Sequence, residues 1–219
     1  MDFKEWYSKP KNKKRMRDTM NKYYLKNKED LKLYQSEKRF KQRYNQPKKN
    51  VVRNKIINLL KDNQIYSILT LESPDFLFSK EIPEQKIIVF ENDKKNYELM
   101  LKKKPKNVHL FYGDVSEFSN LNSKVDMVYL DFCSNWSGGK EKIFNLREVI
   151  KNSRIFGLTL TIRDNKILWN GDYQVDLIKR IQELIDLKLQ VLFGESYKDT
   201  AGMITLFFKV GEKNEKFSF

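Results

Sequence analysis

Three runs constrain the fold most: KIIVFE (86–91), NVHLFYGD (107–114) and KVDMVYLD (124–131). Each is a short apolar segment of strand length, and each stops at an acid. NDKKNYELMLKKK (92–104) lies between the first two, has helical spacing and is halted by Pro105. Strand-length runs alternating with helical ones predict parallel strands joined by crossovers, in a sheet covered on both faces.

The same alternation extends over residues 51–219. VRNKIINLLKD (52–62) predicts a helix and IYSILTL (65–71) the first strand. EKIFNLREVIKNS (141–153) predicts a helix, FGLTLTIR (156–163) a fifth strand and YQVDLIKRIQELIDLK (173–188) an amphipathic helix. LQVLFGE (189–195) and GMITLFFKVG (202–211) are two strands too close in sequence for a helical crossover. They must run antiparallel to each other or sit apart in the sheet. The expectation is an α/β chain with a seven-stranded, mainly parallel sheet and an antiparallel last strand.

Residues 1–50 differ in kind. They hold 17 Lys/Arg against 6 Asp/Glu, whereas 51–219 hold 26 against 23. Most of the formal charge of +14 is therefore N-terminal. No Gly or Pro interrupts 11–46, so a basic helix or helical hairpin is expected there. Tyr24, Leu31 and Tyr34, and likewise Leu33, Phe40 and Tyr44, recur at helical spacing. A polyanion is the natural partner, with Lys11, Lys13, Lys14, Arg15, Arg17, Lys38, Arg39, Lys41 and Arg43 meeting the phosphates of DNA or RNA. QPKKN (46–50) reads as a linker between a basic helical extension, 1–50, and an α/β domain, 51–219.

Composition excludes several classes. No apolar run is long enough to span a bilayer, and the N-terminus lacks a signal-peptide core. A single Cys rules out an internal disulfide and, with a single His, a Cys/His zinc site, so no metal is expected. An intracellular location is expected, in the cytoplasm, nucleoid or nucleus. The lysine-rich, AT-biased composition suits a virus or mobile element.

In an open α/β sheet, ligands bind outside the carboxyl ends of the strands. Polar groups gather there: Glu72 and Ser73 after Leu71, Glu91 with Asn92, Asp114 with Val115, and Asp131. This ordered set, with the final strand pair, resembles the class I S-adenosylmethionine-dependent methyltransferases, a Rossmann-like fold, over about residues 52–211. The resemblance implies S-adenosylmethionine as cofactor. It implies Glu91 on the ribose, Asp114 and Val115 at the adenine, and the turn Asp131 to Trp136 at the reacting group. Leu71, Glu72, Ser73 and Asn92 would complete the cofactor site. The family's glycine-rich turn after the first strand has no counterpart in LTLESPDFLFSKEI (69–82), where Glu72, Ser73 and Pro74 carry side chains instead.

The turn YLDFCSNWSGG (129–139) resembles the acid-plus-aromatic turns of amino-methyltransferases that act on adenine N6 or guanine N2, without their prolines. By that likeness Asp131 accepts a hydrogen bond from an exocyclic amine. Phe132 or Trp136 stacks on the base, Ser134 lines the turn, and Gly138 and Gly139 let it move. A pyrimidine C5 mechanism through Cys133 is the competitor. It lacks the preceding proline, a second cysteine after the fifth strand, and a glutamate there, where only Asp164 stands. Cys133 therefore reads as a packing residue, His109 as a buried or edge histidine, and Trp169 as part of a loop or small hairpin. The expected function is methyl transfer to a base amine in nucleic acid, with a protein partner able to complete the site. The alternative is a degenerate methyltransferase-fold protein that serves as a nucleic-acid-binding or assembly subunit.

Overall fold

Seven strands form one sheet in the order β3-β2-β1-β4-β5-β7-β6 in the computed structural model. They are β1 (Ser67–Thr70), β2 (Lys86–Glu91), β3 (Val108–Tyr112), β4 (Met127–Asp131), β5 (Ile155–Ile162), β6 (Leu189–Lys198) and β7 (Gly202–Val210). The structure describes Pro10, Lys13, Lys14, Arg17 and Asp18, and residues 47–121, 123–132, 134–162, 171–198 and 202–211. The chain divides into two units, Met1–Gln46 and Pro47–Phe219.

In the second unit β1 to β5 pair in parallel, and β7 runs antiparallel between β5 and β6. The expected topology is therefore found, antiparallel strand included. Among its described residues five helices flank the sheet: α1 (Pro47–Asp62), α2 (Lys94–Lys103), α3 (Trp136–Asn145), α4 (Arg147–Lys151) and α5 (Gly171–Ile185). No described helix is long and apolar enough to cross a membrane.

Strand alternation sorts the core onto two faces. Ile68, Ile87, Val89, Met127, Tyr129 and Phe207 pack with Val52, Ile56 and Leu60 of α1 and Met100 of α2. The helical residues of α1 recur every fourth position, which puts them in one stripe. Leu69, Ile88, Val128, Leu130, Phe156 and Leu158 face the other way, toward Ile143 of α3, Ile150 of α4 and Leu177, Ile181 and Ile185 of α5. Gly157 is required where β5 passes Phe207. A Cβ there would overlap the Phe207 ring, which instead seats 5.2 Å from the ring of Tyr129.

Two expectations are corrected. QPKKN is not a linker throughout: Pro47 to Asn50 form the first turn of α1. Proline suits that position because its missing N–H has no helical partner to lose. The helix expected at 141–153 starts earlier and breaks in two. Asn135 caps α3 by accepting from the Gly138 N–H, and Leu146, at φ −91° and ψ 3°, leaves helical geometry between α3 and α4.

Candidate functional site

The carboxyl edge of the parallel strands carries the candidate residues. Thr70, the last residue of β1, lies opposite Tyr129 of β4, and beyond the strand ends Glu72 feels the charge of Asp131. The Glu72 carboxylate accepts from the Ser79 N–H at 2.8 Å and from the Ser79 hydroxyl at 2.5 Å. These bonds close the turn after β1 onto a 3-10 turn at Ser79–Glu81. Burial pushes the Glu72 carboxyl up to about 7, the Ser79 bonds oppose that, and the Asp131 charge adds to it. Phe76, with φ +50°, is fully buried within the same connection, and Phe78 meets Tyr129 edge-on at 5.6 Å.

Behind the pair lies a buried polar row. The Tyr129 hydroxyl is 3.2 Å from Thr159 Oγ1, which is 2.8 Å from Thr205 Oγ1. Burial raises the Tyr129 phenol well above its ordinary value, and the Asp131 charge reinforces this. Tyr129 therefore stays a neutral phenol beside Asp131 across the physiological range.

Glu91 ends β2 half-buried, and its Oε1 accepts from the Asp93 N–H at 2.8 Å. A carboxylate has acceptor capacity beyond one bond, so it retains lone pairs for a ligand. Asn92 is exposed beside it. Asp114 follows Gly113, whose φ of +149° demands glycine. Asp114 accepts from the Ser116 N–H and hydroxyl and pairs with Lys142 of α3 at 2.6 Å. Partial burial lifts its carboxyl, but the Lys142 and Ser116 contacts outweigh that and hold it below the usual range. Val115 is buried in the core, and Leu71 packs partly against it.

The turn after β4 is zipped to β5. The Phe132 N–H donates to the Thr159 carbonyl, and the Thr161 N–H donates to the Ser134 carbonyl, each at 3.0 Å. Ser134 and Trp136 are half-buried, and Trp136 packs on the core as the first residue of α3. Phe132 is not an open base platform. It is 6% exposed and points into the core, because residues alternate along the strand and only Asp131 faces the site. Gly138 and Gly139 are not a mobile hinge either. Both lie in the first turn of α3, and Gly139 is buried where a Cβ would come 3.0 Å from the Phe132 ring.

Lys13, Lys14 and Arg17 are helical and exposed, on neighbouring positions of one helix side. Lys11, Arg15, Lys38, Arg39, Lys41 and Arg43 lie outside the described residues, as do the aromatic positions from Tyr24 to Tyr44, Cys133, Asp164 and Trp169. His109 is an exposed residue of β3. Among the described residues no cluster of three His, Cys, Asp or Glu could hold a metal ion.

Sequence reasoning missed Ser79, Tyr129, Thr159 and Lys142. Tyr129 and Thr159 carried a signal, being polar groups on the inward face of apolar strands. Ser79 and Lys142 carried none, since each reaches its partner across a loop or between elements.

This sheet order, with β7 inserted antiparallel, is the class I S-adenosylmethionine-dependent methyltransferase fold. Solved structures bear that out. The N-methyltransferase NodS from Bradyrhizobium japonicum WM9 superposes with a TM-score of 0.55 at 12% identity, covering 77% of this chain and 99% of NodS. The methyltransferase domain of bacterial CtHen1 gives 0.52 at 9% identity over 72% and 96% of the two chains. The M. jannaschii tRNA m1G37 methyltransferase gives 0.52 at 14% identity over 78% and 52%. No protein-family model matches the sequence, and no curated protein resembles it in sequence.

The residues present would fit that cofactor at its ribose end, where Glu91 would offer a carboxylate to the hydroxyls. In place of a glycine turn stands Glu72, held by Ser79 and pushed up to about 7 by burial, so it does not carry a full negative charge at neutral pH.

Proposed function

We propose that the chain is an S-adenosylmethionine-dependent methyltransferase acting on nucleic acid at an exocyclic amine of a base. One observation carries the reading: Glu91, Asp114 and Asp131 follow β2, β3 and β4 along one carboxyl edge of the methyltransferase sheet. S-adenosylmethionine supplies the electrophilic methyl group when bound. Glu91 would accept from its ribose, and the Asp114–Val115 segment would lie against its adenine. Asp131, on the site-facing side of β4, would accept one amine hydrogen and hold the nitrogen lone pair toward the methyl group. This is positioning, the main service an enzyme can offer a methyl transfer. Trp136 is the remaining aromatic for the base, and Ser134 lines the turn. Lys13, Lys14 and Arg17 would bind phosphates.

A second reading rests on the Glu72–Ser79 clasp. A carboxylate locked into the turn after β1 suits a protein that has abandoned the cofactor and serves as a nucleic-acid-binding or assembly subunit.

Isothermal titration of the full chain with S-adenosylmethionine and S-adenosylhomocysteine, with and without an oligonucleotide, separates the two. Binding in the micromolar range, with the sulfonium form preferred, supports the enzyme. No heat from either ligand at millimolar concentration, with nucleic acid present, establishes the second reading instead.

A further inference from the structure

The outer edge of the sheet at β3 has features that the site above does not use. Among the described residues β3 pairs only with β2, and none of them pairs with its other side. Alongside it runs one face of α2. Lys94, Tyr97 and Leu101 recur at steps of three and four, which places them in one row, and Lys104 follows as the C-cap. Two contacts fix that row against β3 from end to end. The Tyr97 ring lies 5.3 Å from that of Tyr112 at the strand's end, and Lys104 Nζ donates to the Val108 carbonyl at its start.

Leu101 in this row and two aromatic residues at the end of β3 are exposed, and Tyr97 is half-buried. Tyr112 is 55% exposed, Leu101 46% and Phe111 39%. Tyr112 and Phe111 point to opposite faces of the sheet, since neighbours along a strand alternate, so together they wrap the edge. Phe111 is held flat by stacking on Phe90 at 5.2 Å.

Charge is concentrated on the same edge. Residues 94–112 contain six lysines and one acid, Glu98, whereas 51–219 as a whole exceed neutrality by only three. All six lysines are exposed. Asp75 takes Lys103 at 2.8 Å, and Glu91 and Asp93 stand near the Lys94 end. Lys94, Lys95, Lys102 and Lys106 make no ion pair among the described residues.

We propose that the α2–β3 edge is a binding strip for single-stranded nucleic acid, built from residues other than those of the basic N-terminal segment. Lysines flanking the strip meet phosphates, and Tyr112, Tyr97 and Phe111 give bases a stacking surface. A second copy of the chain is a poor occupant, because edge-to-edge pairing would bring two rows of lysine together. Tyr112 lies opposite Glu91 in the β2–β3 register, so a strand on this strip runs directly onto the carboxyl edge. The inference needs no methyl transfer and survives if that reading fails.

The test is fluorescence anisotropy of the full chain with labelled single-stranded DNA, single-stranded RNA and duplex DNA of one length, across a salt series. Lys94→Gln with Lys106→Gln should weaken single-strand binding at least about fivefold. The same pair should lower the slope of log affinity on log salt by about 1.4, two phosphates at about 0.7 each. Tyr112→Ala should weaken single-strand binding about fivefold or more without changing that slope, and Tyr112→Phe should restore it. Duplex binding should respond little to Tyr112→Ala. Melting by circular dichroism confirms that each variant is folded. Unchanged single-strand affinity in both the lysine and tyrosine variants overturns the proposal. Equal loss for duplex and single strand in Tyr112→Ala overturns it too, since paired bases cannot stack there.

Discussion

Asp131 ends β4 and Glu72 lies two residues beyond the neighbouring parallel strand β1, and the Asp131 charge adds to the burial that pushes the Glu72 carboxyl up to about 7. A raised carboxyl is a stability statement. Below its ordinary value of 4.5 Glu72 is protonated in both folded and unfolded chains. As pH rises toward 7 the unfolded chain gives up this proton first, so the stability contributed by the protonated form is progressively lost. Glu72→Gln keeps an acceptor for Ser79 and removes the titration. It should stabilise the protein by about 2–3 kcal/mol more at pH 8 than at pH 5. Urea unfolding at both pH values measures this, and an equal difference at the two would contradict the shift.

Asp131→Asn preserves shape and removes the charge that, in the proposed reaction, would orient an amine. Methyl transfer from a tritiated donor to nucleic acid should fall at least about a hundredfold. Asp131→Ala should abolish it. Cys133→Ala should retain much of it, and the reverse pattern would restore the C5 mechanism.

Glu91→Ala removes a charged acceptor from the end of β2. Affinity for S-adenosylmethionine should drop about tenfold or more by titration, in line with the worth of a hydrogen bond to a charged group. Oligonucleotide affinity of the same variant should be unchanged.

The N-terminal segment is tested without cutting the chain. Lys13→Gln, Lys14→Gln and Arg17→Gln together should weaken binding to both duplex and single strand and flatten its salt dependence. Affinity and slope equal to those of the parent would remove these residues from the interface.

Gly157→Ala would drive a Cβ into the Phe207 ring. Overpacking of this kind costs about 1–3 kcal/mol. Denaturant unfolding should show that loss, and Phe207→Leu added to it should recover part of it.

Much of the fold was legible because strand-length runs ended cleanly. KIIVFE coincides with β2, and the acids Glu91, Asp114 and Asp131 stand at the strand ends where the runs put them. Spacing left β6 and β7 no room for a helix between them and so excluded a parallel crossover, while the antiparallel place of the last strand came with the family resemblance. What failed was local. The first turn of α1 was hidden by a proline that reads as a breaker unless it sits at a helix start. The start of α3 depended on the Asn135 cap, not on apolar periodicity. Phe132 looked available because it follows Asp131, yet that adjacency is what turns it to the opposite face. Within the site, the Glu72–Ser79 and Asp114–Lys142 contacts join separate stretches of chain, and no one-dimensional pattern encodes such pairings.

The insertion of β7 between β5 and β6 also sets an order of assembly. Among the described residues β6 pairs within the sheet only with β7, so it joins the sheet through residues 202–210, although Glu195 also meets Lys55 of α1. Until then β5, apolar along almost its whole length, is an open edge. During synthesis the parallel half can form first, and the last hairpin must then arrive as a unit to seal it. Any lesion that blocks β7 therefore costs two strands and leaves a sticky border. The most distant stretch of the α/β unit acts as its latch.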